Sequence, residues 1–213
     1  MMIVTRPEHD IATKYLACWS EAILDEAKCH GVRAIDLRRK KANRKEFEGR
    51  VRKLNPKLLV LHGHGNKECV TGHDNEVLLR TGENSDVLVG KITYAVSCDA
   101  AFGLGAEVAG HPDTAFIGYD DKFVFSLRQD KLHHPLRDDR ARPFMEMSNQ
   151  VAISLVKGQS CINAHHRSQA VGKAHFRKLL SSASDPDALM DARNLWWDMK
   201  HQVCLGDVQK NIT

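Results

Sequence analysis

Residues 57–61, KLLVL, carry no polar alternation and break directly into HGHG. A strand with one wet face alternates apolar and polar residues, and a strand covered on both faces does not. This run therefore demands a sheet with a layer on either side. MMIVT, VRAIDL, ITYAVS and TAFIGY are further short apolar segments of strand length. Between them lie helical patterns. One starts at about Asp10, sets Ile11, Tyr15, Trp19 and Ala22 on one face and ends at Gly31. A second is basic, places Phe47, Val51 and Leu54 at helical spacing and stops at Pro56. ECVTGHDNEVLLR reads as a hairpin or small excursion, NSDVLVGK as a short helix and AAFGLGAEVAG as a helix of small residues. The order β-α-β-α-β-β-α-β specifies an α/β fold with a mainly parallel central sheet.

The remaining chain is helical apart from its end. DDKFVFSLRQDKLHHPLRDDRARPF reads as a charged surface loop or hairpin, FMEMSNQVAISLVKG as a helix, and residues 170–181 as another. DALMDARNLWWDMK, capped near Asp185 and Pro186, reads as the last helix, with one of Trp196 and Trp197 in the core, and QVCLGD as a closing strand. The 213 residues contain no repeat or linker, so a single domain over 1–213 is expected.

Composition narrows the function. Net charge is +4, and much of the excess sits in the basic helix of residues 37–57, read as a solvated face; nucleic acid is not an expected partner. No segment is apolar for long enough to span a bilayer, and the first ten residues lack the core of a secretion signal, so no membrane partner and a cytoplasmic location are expected. The six cysteines are scattered, with no C-x-x-C pair, and read as thiols.

In an open parallel sheet, sites form beyond the carboxyl ends of the strands. HGHG lies at the end of the third strand and Cys98 at the end of the fourth. Neighbouring strands bring an imidazole and a thiol to one rim, the arrangement that thiol nucleophiles require. Gly63 and Gly65 let the backbone turn sharply, and the N–H groups of Gly65 and Cys98 are candidates for an oxyanion hole. His64 is the expected base, with His62 on the same side as a support or an obstruction.

LLVLHGHG followed by ITYAVSCDAA resembles the caspase-like cysteine peptidases, the broad group of caspases, gingipains, separases and CHAT-type domains. AFIGYDDKFVF resembles the next core strand of bacterial members, and VCLGD their closing strand. The resemblance runs from about residue 1 to 207 and implies a caspase-hemoglobinase-like three-layer sandwich. It also implies a cysteine endopeptidase working by a His64/Cys98 dyad through a thioester, with a protein or peptide substrate and no cofactor or metal. A bacterial defence or regulated-death setting with an activating partner belongs to the same implication. The chain departs from caspases proper. It has VSCDA where they carry Gln-Ala-Cys, and its His precedes the Cys by 34 positions rather than about fifty. Metacaspases carry Asp where Val96 stands. Asp99, Asp120 and Asp121, near in sequence, are the candidates for an acidic substrate pocket, alongside His62.

Two other readings compete. H-x-H is a metal-ligand spacing, and His62, His64, Cys69 and His73 could gather around zinc in a hydrolase. A non-catalytic caspase-like interaction module would use HHPLRDDRAR and NAHHRSQAVGKAHFRK as partner surfaces.

Overall fold

The computed structural model describes residues 1–181 and 187–213. Its strands are β1 (Met2–Arg6), β2 (Ala34–Arg38), β3 (Leu58–His62), β4 (Cys69–Thr71), β5 (Val77–Arg80), β6 (Ile92–Val96), β7 (Ala115–Tyr119) and β8 (Gln202–Gly206). Six of them form one sheet in the order β2-β1-β3-β6-β7-β8, and β4 and β5 form a separate hairpin. All pairings in the large sheet are parallel except β7 with β8. Every residue of β1, β3, β6 and β7 is buried, as their unbroken apolar character requires.

The helices are α1 (Ile11–Trp19), α2 (Glu21–Cys29), α3 (Arg44–Leu54), α4 (Ala106–Val108), α5 (Arg142–Val156), α6 (Cys161–Ser181) and α7 (Ala188–His201). Alternate residues of each strand divide between two cores. Met2, Val4, Leu58, Val60, Ile92 and Tyr94 meet Tyr15, Leu16 and Ile23 from α1 and α2 and Met145 and Val151 from α5. On the opposite face Ile3, Leu59, Leu61, Ala95 and Phe116 meet Phe47 and Val51 of α3, Leu78 and Leu79 of β5, and Leu104 and Val108. The molecule is thus a three-layer α/β sandwich. Each fully buried Leu or Ile contributes about 1.5–3 kcal/mol of apolar transfer, so the strands are held mainly by what covers them.

Several elements differ from the sequence reading. The first helix is two, joined at Ser20, and its buried stripe is Thr13, Tyr15, Leu16, Ala17 and Trp19, while Ile11 and Ala22 face solvent. The guanidinium of Arg6, 1% exposed, explains the corner: its Nε and Nη2 donate to Ala17 O at 3.0 and 2.7 Å, and it pairs with Asp36 and Glu21. The helix expected from residue 170 begins nine residues earlier, at Cys161. Residues 123–132 form an irregular segment rather than a free loop, because Phe123, Phe125, Leu127 and Leu132 pack on the core. Neither Trp196 nor Trp197 is buried; Leu195 takes the core position of α7. The expected cap at Asp185 and Pro186 lies outside the described residues. Among the described residues no helix is long and apolar enough to cross a membrane.

The strand order sets the position of the site. From β1 the chain crosses to β2 on one side, then returns past β1 to β3 on the other. The carboxyl ends of β1 and β3 therefore flank the switch point, where an open sheet leaves a crevice.

Candidate active site

Parallel pairing sets His62 opposite Val96 at the ends of β3 and β6. Two residues further along each chain stand His64 and Cys98. Both line one cleft of about 100 Å³, together with Ala12, Thr13, Leu16, Gly63, Val96, Ser97, Phe123 and Phe125. The matched register, not sequence proximity, delivers the imidazole and the thiol to the same rim.

The two glycines are needed for close approach rather than for unusual torsion, since neither has positive φ. A Cβ on Gly65 would sit 2.1 Å from Ser97 Oγ and 2.8 Å from Cys69 O. A Cβ on Gly63 would sit 2.0 Å from Thr71 O. Only a bare backbone fits between β6 and the hairpin. Gly65 forms an antiparallel bridge with Val70, flanked by Thr71 N–H donating to His64 O at 2.9 Å and Asn66 N–H donating to Cys69 O at 3.0 Å. In such a pair the bridged residue's own N–H points away from its partner. Among the described residues neither the Gly65 nor the Cys98 N–H is taken by another backbone or side-chain group. These are the two donors that the sequence singled out.

A third side chain joins them. Asp10 caps α1: Oδ1 accepts from Thr13 N at 2.8 Å, while Oδ2 lies 2.5 Å from His64 Nε2. Burial pushes the Asp10 carboxyl up, but the Thr13 amide and the His64 ring outweigh it and hold the group at about 2. It is therefore a carboxylate at neutral pH, and an ionised carboxylate only accepts, so His64 Nε2 carries the proton. Nδ1 is the ring nitrogen not committed to Asp10. Sequence reading left this third position without a side chain. Asp10 was legible as a helix start, but a cap uses one carboxylate oxygen and gives no sign of where the other points.

Cys98 sits before a wide helical turn, Ala101–Gly105, of the π type that leads into α4. Asp99 makes the reversal from strand to helix with φ 56°, a left-handed conformation that Asp tolerates better than most residues. Burial, with the Asp99 carboxylate adding to it, pushes the Cys98 thiol up. Its Sγ lies 3.9 Å from Phe123 O, at the long limit for a thiol donor. In this state Cys98 is a thiol, not a standing thiolate.

The expected acidic pocket does not assemble in the cleft. Asp99 serves the turn, and its N–H donates to Asp121 O. Asp120 Oδ1 lies 2.8 Å from His201 Nδ1, and Asp121 Oδ1 accepts from Lys122 N. None of the three lines the cleft, whose walls are Leu16, Phe123 and Phe125. His62 is also corrected. It is 1% exposed, and its Nδ1 donates to Thr5 O at 3.0 Å. Burial pulls it down to about 4, so it is a neutral core histidine behind the site. The alternation argument failed because His62 still belongs to β3, whereas His64 lies beyond the strand.

Nor are His62, His64, Cys69 and His73 brought together as a metal set. Among the described residues the group with ligand atoms mutually within 4.8 Å is His9, Asp10 and His64. His9 is immobilised between two other imidazoles, with ring centroids 5.9 Å from His64 and 5.5 Å from His73. Comparison with protein-family models and with curated proteins finds no match to this chain.

Proposed function

We propose that this chain is a cysteine endopeptidase of the caspase-like type, acting through Asp10, His64 and Cys98. The observation that carries the reading is that a histidine and a cysteine at matched positions beyond adjoining parallel strands line one cleft. Cys98 Sγ attacks the scissile carbonyl carbon as His64 Nδ1 takes its proton. The negative oxygen is held by the Gly65 and Cys98 N–H groups. His64 then returns the proton to the leaving amine, giving a thioester and the first product. Water attacks the thioester, passing a proton to His64 and through it to the sulfur, which releases the acid product and the thiol. Asp10 fixes the tautomer throughout and touches no reacting atom.

The cleft is apolar, so the residue before the cut is an apolar one of modest size. About 100 Å³ is far below the ~300–1,000 Å³ of sites that enclose whole ligands, so this cleft takes one side chain while the peptide lies across the rim. A protonated thiol and a narrow cleft describe a resting enzyme awaiting a substrate or an activating partner. A cytoplasmic protein substrate in a bacterial defence or death system fits this reading.

The test is a peptide library offered to wild type, His64→Ala, His62→Ala and Cys98→Ala, with a thiol-directed peptide probe. Cleavage after apolar residues, abolished by the His64 and Cys98 changes and kept by His62→Ala in folded protein, supports the reading. Full biological effect from Cys98→Ala overturns it in favour of an interaction module.

A further inference from the structure

We propose that His9, Asp10 and His64 form a binding site for a divalent ion of the zinc class, whose occupancy takes His64 out of use as a base. The ion-binding part stands on the residues alone. Its consequence for catalysis rests on the peptidase reading.

The donor set is two imidazoles and a carboxylate, which suits zinc and its neighbours and leaves a coordination position open. His9 Nε2 is 3.6 Å from Asp10 Oδ2, and Asp10 Oδ2 is 2.5 Å from His64 Nε2. A tetrahedral ion with bonds of about 2.0 Å spaces its ligands roughly 3.3 Å apart. The first separation already fits. The second is a hydrogen bond, and an ion entering it replaces the proton and moves the pair apart by under about 1 Å. Asp10 and His64 are half-exposed, with side chains 38% and 43% accessible, so that movement meets little resistance.

A second observation points to a ligand. The His9 side chain is only 9% exposed, yet its Nδ1 is buried with no partner, and Nε2 meets only Asn75 Oδ1 at 3.2 Å besides Asp10. A buried imidazole normally has both nitrogens engaged. Here the ring lies between His64 and His73 with Nε2 turned to Asp10, and the unpartnered Nδ1 can take the ring proton when an ion occupies Nε2. His73 stays outside the set, because its Nδ1 accepts from Glu8 N–H at 3.4 Å.

The consequence follows from counting protons on one ring. With Asp10 as its partner, His64 carries its proton on Nε2 and offers a lone pair at Nδ1. A metal ion binds the Nε2 lone pair, so the single proton must reside on Nδ1. That is the nitrogen that the proposed mechanism uses to receive the Cys98 proton. The bound ion therefore locks the base, and its removal restores it.

The experiment titrates metal-free protein with zinc chloride by calorimetry and with cobalt chloride by visible absorption. The chains compared are wild type, His9→Phe, His9→Ala and Cys98→Ala. His9→Phe keeps a ring in the packed position if the alanine change unfolds the protein. One ion per chain is expected, weakened at least tenfold by the His9 changes and unaltered by Cys98→Ala. Imidazole ¹⁵N spectra should show the His64 proton moving from Nε2 to Nδ1 with zinc, a readout that needs no turnover. Peptide cleavage should fall at least tenfold with zinc and recover with a chelator, while whatever cleavage His9→Phe retains should resist zinc. Undiminished binding by His9→Phe, loss of binding in Cys98→Ala, or cleavage abolished by the chelator overturns the proposal. Ion binding that follows His9 in a protein that cleaves nothing overturns the peptidase reading and leaves the ion site standing.

Discussion

Asp10 uses one carboxylate for two tasks. Oδ1 satisfies the first turn of α1, and Oδ2 holds the His64 ring. The two tasks separate in Asp10→Asn, because Asn is as good a helix cap as Asp. Stability should change by less than about 1 kcal/mol. The carboxylate that fixes the tautomer is gone, so kcat should fall at least about tenfold while KM stays put, as for an interaction made only in the transition state. Steady-state kinetics beside urea unfolding checks both halves. At this scale the sequence was legible where position along a strand decides a residue's place, as with His64 and Cys98, which line one cleft. It was not legible where chemistry depends on a side chain's second atom, as with Asp10. It did not foretell that Asp99, Asp120 and Asp121 stand outside the cleft that His64 and Cys98 line.

The elements that carry the site are set by backbone contact rather than by side-chain complementarity. The wide turn after Cys98 lies against the loop that follows β3, where a Cβ on Gly103 would come within 1.5 Å of Lys67 O. Backbone cannot yield as a flexible side chain does. Gly103→Ala should therefore destabilise the fold by at least about 2 kcal/mol and disturb the cleft. Thermal unfolding together with the rate of probe labelling at Cys98 measures both. The strands of the parallel core were read correctly because unbroken apolar runs leave few alternatives. The corner at Ser20 was not, because a buried Arg6 that bonds Ala17 O creates it, and no helical periodicity announces a partner from another strand.

For the whole molecule, His62 makes the fold less stable in acid. Its folded value of about 4 lies below the ordinary histidine value of 6.5, so the unfolded chain binds a proton that the folded chain refuses. The stability this represents is present above pH 6.5 and is lost as pH falls towards 4. Between pH 7 and 5 the loss should be about 2 kcal/mol. Urea unfolding at the two values checks it, and His62→Gln, which cannot titrate, should remove most of the difference. The three-layer plan itself was legible throughout, since the order of strands and helices leaves little choice of architecture. The side chosen at each crossover was not, and that choice decided which loops meet.

Those loops come from chain positions far apart, residues 9–10, 64 and 98, and the sulfur is the last to be made. The groups proposed to bind an ion and to handle protons are therefore synthesised before the proposed nucleophile. A product that stops short of β6 lacks the proposed nucleophile. The cleft walls Phe123 and Phe125, strands β7 and β8 and helices α5 to α7 are made later still, so the proposed site is completed only when synthesis has run well past Cys98.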